Sequence, residues 1–266
     1  MKQVMLQDTE QFCLIATNRD QQTYQISVYV PKQIAPDEGF PVLYLLDGNA
    51  VFGTAVEAVR IQSQRTEKTN VQPAIVVGIG YEIADAFSSR RFYDYTMDPP
   101  EIDICSRWKK HPPPQHGGAD HFLAFIEEDL KPFLFRRYNI NQQRQTIFGH
   151  SLGGLFVLHT LFTKNHAFQN YIAGSPSIHW NKTRLSKEKK AFLKNDQQRS
   201  LSLLIAVGEL EANHSTNMSE NARQLAEELS KVPLLEVQFE ELEEENHISV
   251  LPVLLNKAIK LGLKAK

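Results

Sequence analysis

Short apolar runs alternate with longer amphipathic stretches along most of this 266-residue sequence. The short runs are rich in β-branched residues and end at polar or turn-forming residues, a pattern typical of β-strands. They predict eight strands, at residues 11–17, 24–30, 42–46, 74–79, 146–148, 171–173, 203–207 and 235–239. The amphipathic stretches predict helices at residues 51–64, 120–138, 152–162, 219–229 and 249–261.

The order of these elements indicates an α/β fold. A short polar turn at residues 18–20 separates the first two strands, which predicts a hairpin, whereas helical stretches between later strands predict parallel βαβ units. We therefore expect an open, mostly parallel eight-stranded sheet with helices on both faces, in one domain covering residues 1–266. Residues 97–118 contain five prolines and interrupt this pattern, so they are predicted to form a long, lid-like loop or a surface excursion without a role.

Composition narrows the function classes. The net charge is −2, from 29 basic and 31 acidic residues that are well interspersed, which argues against a nucleic-acid or membrane partner. The two cysteines, Cys13 and Cys105, cannot form a disulfide scaffold or a metal motif, and no apolar signal segment precedes the first strand, so a reducing, cytoplasmic location is expected. Residues 78–80 lack the third glycine of a dinucleotide fingerprint, and no zinc or P-loop motif occurs. Neither a cofactor nor a metal is predicted.

The strongest local signal is Gly149-His150-Ser151-Leu152-Gly153, placed between a predicted strand and a predicted helix. This G-x-S-x-G pattern is typical of a nucleophile elbow, where the serine occupies a tight turn that leaves no room for neighbouring Cβ atoms. Ser151 is therefore the candidate nucleophile.

A serine hydroxyl needs a general base to accept its proton. In an architecture with this elbow the chain order is nucleophile, acid, histidine, which places the base near the C-terminus. His247 lies between the last predicted strand and the last helix, and is the candidate base. His159 and His214 do not fit this position, and the histidines at 111, 116 and 121 precede the nucleophile.

The acid is expected after the strand at residues 203–207, where the sequence runs Gly208-Glu209-Leu210-Glu211. A position three residues after the strand-ending glycine selects Glu211. Glu209 is an alternative, and a backbone carbonyl in place of a carboxylate is another, because the role requires only that the imidazole be oriented and its charge stabilised.

An oxyanion hole requires two backbone amides. One is expected from Leu152, directly after the nucleophile. The other is expected from Asn49, because Asp47-Gly48-Asn49 follows an earlier strand and the glycine allows the chain to turn.

Several stretches identify a family resemblance: VYVP, PVLYLLDGNAVF, RRFYDYT, GGADHFLAFIEEDLKPFL, FGHSLGGLFVLHTLF, AGSPSIHW, VGELE and ENHISVLP. Together they resemble the putative-esterase family of α/β hydrolases, most closely its branch of ferric-siderophore trilactone esterases, from about residue 24 to the C-terminus. The resemblance implies an α/β-hydrolase fold, Ser151 as nucleophile, His247 as base, and the amides of Asn49 and Leu152 as oxyanion hole.

The resemblance also implies a substrate and contacts to it. It implies a serine carboxylesterase that opens a trilactone siderophore and so releases iron. Arg91 matches the family's arginine before Asp-Tyr-Thr, and is expected either to meet an anionic catecholate or to pair with Asp94. His179 stands where the family often has an aromatic residue, beside Trp180, and both are candidate substrate contacts. A small-acyl esterase or thioesterase similar to formylglutathione hydrolase, an acyltransferase and a noncatalytic binding protein are the alternatives.

Overall fold

One β-sheet forms the centre of the fold, and the loops that contain the candidate site residues follow its strands. The computed structural model describes residues 5–18, 22–100, 114–194, 199–212 and 216–265. Within them, eight strands form one sheet in the order β1-β2-β4-β3-β5-β6-β7-β8. The strands are β1 (Thr9–Ile15), β2 (Thr23–Tyr29), β3 (Phe40–Leu45), β4 (Ile75–Gly80), β5 (Ile140–His150), β6 (Asn170–Gly174), β7 (Leu201–Gly208) and β8 (Leu235–Leu242). β2 is antiparallel to both β1 and β4, and the other neighbours are parallel.

The helices cover both faces of this sheet, which confirms the predicted α/β fold class. They are α1 (Gly48–Ser63), α2 (Thr66–Thr69), α3 (Arg91–Asp94), α4 (Ala119–Ala124), α5 (Lys131–Arg137), α6 (Leu152–Thr163), α7 (Lys182–Lys194), α8 (Met218–Leu229) and α9 (Val250–Gly262). A π-helical segment, Phe125–Leu130, joins α4 to α5. Helices α1 and α9 pack on one face, and α4, α5, α6 and α8 pack on the other.

Neighbouring residues of a central strand belong to different cores. Val77 and Ile147 pack on the side of α4, α5, α6 and α8, whereas Val76 and Phe148 pack with α1 and α9. Because successive side chains of a strand point to opposite faces, a strand covered on both faces must be apolar at every position. This explains the continuous apolar runs from which the strands were predicted.

The short helices α2 and α3 were not predicted, and two longer elements also differ from the sequence-based prediction. β5 extends from Ile140 to His150 rather than over residues 146–148 alone, because its polar first half pairs beyond a bulge in its register with β3. Helix α7 was not predicted. Its buried side chains are Leu185, Glu188 and Phe192, so a carboxylate occupies the middle of the face that would otherwise read as apolar.

The proline-rich stretch lies mostly outside the described residues, which omit 101–113. Its two described ends lie close together, since the Gly117 amide donates to Thr96 Oγ1 at 3.1 Å and the Ala119 amide to the Thr96 carbonyl at 3.0 Å. Its lid-like role stays a prediction, as does the assignment of residues 1–266 to one domain.

None of the helices in the described ranges combines the length and the apolar character needed to cross a bilayer.

We predict that Phe156→Ala lowers the free energy of unfolding by about 3–5 kcal/mol, the usual cost of emptying a buried aromatic site. Phe156 lies at the centre of α6 with no exposed surface, and its ring centroid is 5.1 Å from that of Phe122 and 5.9 Å from that of Tyr95. Urea unfolding measures the change. Ile34→Ala is the matched control, because Ile34 is 96% exposed and its loss is expected to cost less than about 0.5 kcal/mol. Equal losses in the two variants would contradict this description of the core.

Candidate active site

Ser151 occupies the sharp turn between β5 and α6. Its backbone has φ 60° and ψ −116°, a conformation that few residues other than glycine adopt. A Cβ atom at Gly149 would lie 2.3 Å from the Gly153 carbonyl oxygen, and one at Gly154 would lie 2.7 Å from that of Gly174. Gly149 and Gly154 are therefore required because backbone passes too close for a side chain. Gly153, the second glycine of the motif, would bring a Cβ no closer than 3.6 Å to its neighbours, so the expected lack of room does not apply there.

His247 and Glu211 reach this serine from two other loops. His247 follows β8, and its Nε2 lies 3.1 Å from Ser151 Oγ. Its Nδ1 lies 2.7 Å from Glu211 Oε2, on the turn Glu209–Glu211 after β7. The structure thus brings together the three residues that the sequence suggested as nucleophile, base and acid.

Glu211 is only 3% exposed and is held by several donors. Its Oε1 accepts hydrogen bonds from Ser175 Oγ at 2.6 Å and from the Gly208 amide at 2.8 Å. Burial alone would raise the pKa of the Glu211 carboxyl, but the hydrogen bonds from His247, Ser175 and Gly208 outweigh it and hold that pKa below its ordinary value. Glu211 is therefore ionised at neutral pH.

Glu209, the alternative acid, points elsewhere. It is exposed, and its Oε2 accepts a hydrogen bond from the Glu244 amide at 2.9 Å. Of the two carboxylates on this turn, Glu211 is the one that contacts the imidazole.

The two loops expected to supply the oxyanion hole meet at one edge of the sheet. β3 and β5 are paired in register up to Leu45 and Phe148, and the Leu46 amide donates to the Phe148 carbonyl at 3.0 Å. Leu152 begins α6, and Asn49 lies in the first turn of α1. The Asn49 side chain binds the backbone beyond β4, through bonds with the Tyr81 amide and carbonyl and with the Ile83 carbonyl. The amides of Asn49 and Leu152 remain the proposed oxyanion hole.

Arg91 is paired with Asp47, so the expected pairing with Asp94 is wrong. The guanidinium binds both carboxylate oxygens of Asp47 at 2.9 Å and donates to the His150 carbonyl at 3.3 Å. Asp94 instead accepts hydrogen bonds from two tyrosine hydroxyls. Arg91, 11% exposed, thereby links the turn before Asn49 to the residue before Ser151. Its role as a substrate contact stays a prediction.

His179 and Trp180 lie on a short 3-10 turn after β6. Trp180 is buried, and its indole N–H donates to the Asp98 carbonyl at 3.0 Å, at the start of the proline-rich stretch. The indole thus anchors the backbone at Asp98, among the described residues at the start of that stretch. A contact of either residue with substrate stays a prediction.

Three residues near Ser151 were missed by the sequence analysis. The His150 ring packs against that of His247 with centroids 4.6 Å apart. Burial, together with the nearby His247 and Arg91, lowers the pKa of His150 to about 3, so its imidazole is neutral at neutral pH. Ser175 contacts Glu211, and Ser177 Oγ lies 3.2 Å from Ser151 Oγ. The only signal for the two serines was the stretch AGSPSIHW, which contributed to the resemblance without revealing any function, and His150 was noted only as a variable position of the elbow motif.

No cluster of three or more histidine, cysteine, aspartate or glutamate side chains suited to a metal ion occurs in the parts of the chain that the structure describes. The contacts from Ser151 Oγ through His247 to Glu211 form the arrangement of an activated hydroxyl, which can attack an acyl carbon.

Comparison with known proteins places this geometry in a family. The model of the family described as Putative esterase matches residues 17–248. The ferri-bacillibactin esterase BesA of Bacillus subtilis (strain 168) is 50% identical over 256 residues, which cover 94% of this chain and 88% of that protein. The crystal structure of the BES protein from Bacillus cereus has a TM-score of 0.92 at 42% identity, covering 100% of this chain and 99% of that one. The siderophore hydrolase EstB from Aspergillus nidulans has a TM-score of 0.83 at 31% identity, covering 99% and 98%.

The resemblance expected from the sequence is thus confirmed by matches that span almost the whole chain. The chain belongs to the Putative esterase family of α/β hydrolases and is a hydrolytic enzyme.

Proposed function

We propose that this protein is a serine esterase that hydrolyses the ester bonds of a ferric trilactone siderophore. The observation that carries the proposal is the continuous contact from Ser151 Oγ through His247 to Glu211, at 3.1 and 2.7 Å. The substrate class is supported by the 50% identity to a ferri-bacillibactin esterase.

The mechanism follows from these positions. Ser151 Oγ attacks the ester carbonyl carbon while His247 Nε2 accepts the hydroxyl proton, and Glu211 stabilises the resulting imidazolium. The amides of Asn49 and Leu152 donate to the oxyanion. The ester C–O bond then breaks, and His247 returns the proton to the leaving alkoxide. Water attacks the acyl-enzyme by the same steps, which releases a carboxylic acid and restores the serine.

Ring opening accounts for the release of iron. A trilactone holds three chelating arms on one ring, so the arms are pre-organised around a single metal ion. Hydrolysis of one ester turns the ring into a flexible chain, and ordering that chain around iron then costs conformational entropy. Iron is cargo in this reaction, and the residues around Ser151 need not ligate it.

Apolar side chains flank the site and suit a substrate with aromatic arms. Leu210, next to Glu211, is 61% exposed, and Ile248, next to His247, is 59% exposed. The relatives favour a siderophore over the small-acyl ester or thioester alternative. A cytoplasmic location stays a prediction.

We predict serine-dependent opening of trilactones. Mass-resolved assays would compare ferric and iron-free bacillibactin and enterobactin with short p-nitrophenyl esters and formylglutathione, using wild type and Ser151→Ala. The expected result is fast trilactone opening by wild type, weak turnover of the simple substrates, and loss of turnover in Ser151→Ala. Fast small-ester turnover with slow trilactone cleavage would contradict the assignment of a siderophore as substrate, while the assignment as a serine esterase would stand. Trilactone binding without turnover by wild type would indicate a noncatalytic binding protein.

Glu211→Gln is predicted to lower kcat by roughly 10³–10⁴-fold, because an amide no longer fixes the tautomer of His247 or stabilises its charge. Glu209→Gln is the matched control, since it lies on the same turn and an amide oxygen can still accept from the Glu244 amide. Its kcat should stay within about twofold of wild type. Steady-state kinetics on any turned-over ester measures both, and the reverse order of effects would assign the acid to Glu209.

The depressed pKa of Glu211 predicts a pH-dependent contribution to stability. A carboxyl whose pKa is lowered by folding stabilises the folded state above its ordinary pKa of 4.5, and this contribution is lost as the pH falls through the lower folded value. The difference in unfolding free energy between wild type and Glu211→Gln should therefore be larger at pH 7 than at pH 3. Urea unfolding at both values measures it, and a difference independent of pH would contradict the assignment.

A further inference from the structure

One tripeptide contacts both ends of the proposed catalytic chain. Ser175-Pro176-Ser177 follows β6, and its two hydroxyls point to different residues. Ser177 Oγ lies 3.2 Å from Ser151 Oγ, and Ser175 Oγ donates to Glu211 Oε1 at 2.6 Å. Both serines are buried: Ser177 is 5% exposed and Ser175 is 0% exposed. The proposed mechanism, with Ser151, His247 and Glu211, assigns no role to either of these two hydroxyls.

The direction of the Ser177 hydrogen bond follows from the other partners. The Glu211 carboxylate can only accept, so His247 Nδ1 must donate to it. In the neutral imidazole, Nε2 is then an acceptor, and the hydroxyl of Ser151 must donate to it. Ser151 has no second proton, so the hydroxyl of Ser177 is the donor in its contact with Ser151 Oγ.

We propose that Ser177 is a catalytic residue that donates a hydrogen bond to the nucleophilic oxygen, and that Ser175 is a positioning residue that holds the Glu211 carboxylate. The proposal rests on the proposed serine esterase function, because both serines act through its nucleophile and its acid.

The Ser177 hydrogen bond strengthens when it is needed. As Ser151 transfers its proton to His247, negative charge develops on Oγ, and hydrogen bonds to charged oxygens are about twice as strong as neutral ones. An interaction that is stronger in the transition state than in the ground state lowers the barrier rather than only tightening binding. Ser177 thus stabilises the charge that develops on the attacking oxygen, whereas the oxyanion hole stabilises the charge on the carbonyl oxygen.

The backbone fixes the tripeptide in this place. The Ser151 amide donates to the Gly174 carbonyl at 2.9 Å, and the Ser177 amide donates to the Ser151 carbonyl at 3.0 Å. The Ser175 amide donates to the Ala206 carbonyl of β7 at 2.7 Å. Ser175 also has φ 39°, an unfavourable backbone conformation for a residue with a side chain, which indicates that the surrounding structure imposes it.

Ser177→Ala tests the first half of the proposal. We expect kcat/KM for a p-nitrophenyl ester to fall by about 10- to 100-fold at every pH, since a donor to developing charge is lost while the groups that titrate are unchanged. The rate of Ser151 labelling by a fluorophosphonate should fall in parallel, because that reaction uses the same nucleophile without the ester substrate. Values of both rates within twofold of wild type would overturn the role of Ser177.

Ser175→Ala and Ser175→Gly test the second half. Loss of the hydroxyl removes one of the donors that lower the pKa of Glu211, so the carboxylate should be protonated at a higher pH. The contribution of Glu211 to the unfolding free energy, measured as the difference between each variant with and without Glu211→Gln, should therefore be lost at a pH about 0.5 unit or more higher than in wild type. Glycine tolerates the positive φ, so it keeps the test valid if alanine perturbs the turn. A wild-type pH dependence of the Glu211 contribution in the glycine variant would overturn the role of Ser175.

Two controls separate this inference from the proposed function. Ser230→Ala removes an exposed hydroxyl at the end of α8 and should behave as wild type. Ser151→Ala should abolish turnover and labelling. If Ser151→Ala is inactive while Ser177→Ala and the Ser175 variants match Ser230→Ala, the inference fails and the esterase function stands. If Ser151→Ala retains wild-type turnover, the proposed function fails, and the inference fails with it.

Discussion

The buried Glu211 carboxylate can only accept hydrogen bonds, and this determines which group donates in each side-chain hydrogen bond around Ser151. Because Glu211 accepts from His247 Nδ1, the opposite nitrogen of the ring must accept from Ser151, and Ser177 must donate to the nucleophile. The carboxylate stays ionised despite its burial because Ser175 and the Gly208 amide also donate to it. One charge, held by three donors, therefore orders a chain of hydrogen bonds from Ser177 to Ser175.

The parallel sheet makes this convergence possible. The carboxyl ends of parallel strands lie at one edge of a sheet, and each part of the site follows a different strand. Asn49 follows β3, Ser151 follows β5, Ser175 and Ser177 follow β6, Glu211 follows β7, and His247 follows β8. Residues far apart in the sequence thus meet without long connections, and the Arg91 pair with Asp47 ties the first of these loops to the elbow.

The fold class and the candidate nucleophile, Ser151, could be predicted from the sequence because both depend on local patterns. Doubly covered strands are apolar throughout, and the elbow requires glycine at position 149, where a Cβ would lie 2.3 Å from a backbone oxygen. The sequence did not decide whether Glu209 or Glu211 is the acid. The two carboxylates lie on one turn, and the geometry of that turn determines which of them faces the imidazole. Helix α7 was missed because Glu188 lies on the buried face, where it pairs with His159 and Arg184, and the partner of Arg91 was misassigned. Contacts between distant loops, such as that of Ser177 with Ser151, leave no periodic pattern in a single sequence.

Rapid-quench mass spectrometry of wild type mixed with a trilactone siderophore tests the central claim most directly. When a lactone acylates a serine, the leaving alkoxide stays attached to the acyl group, so the adduct has the mass of the whole trilactone. The account predicts this mass on the peptide that carries Ser151, formed before the linear product and lost as that product appears. Formation of the linear product with the adduct on a different residue, or in an early burst that leaves Ser151 unmodified, would contradict it.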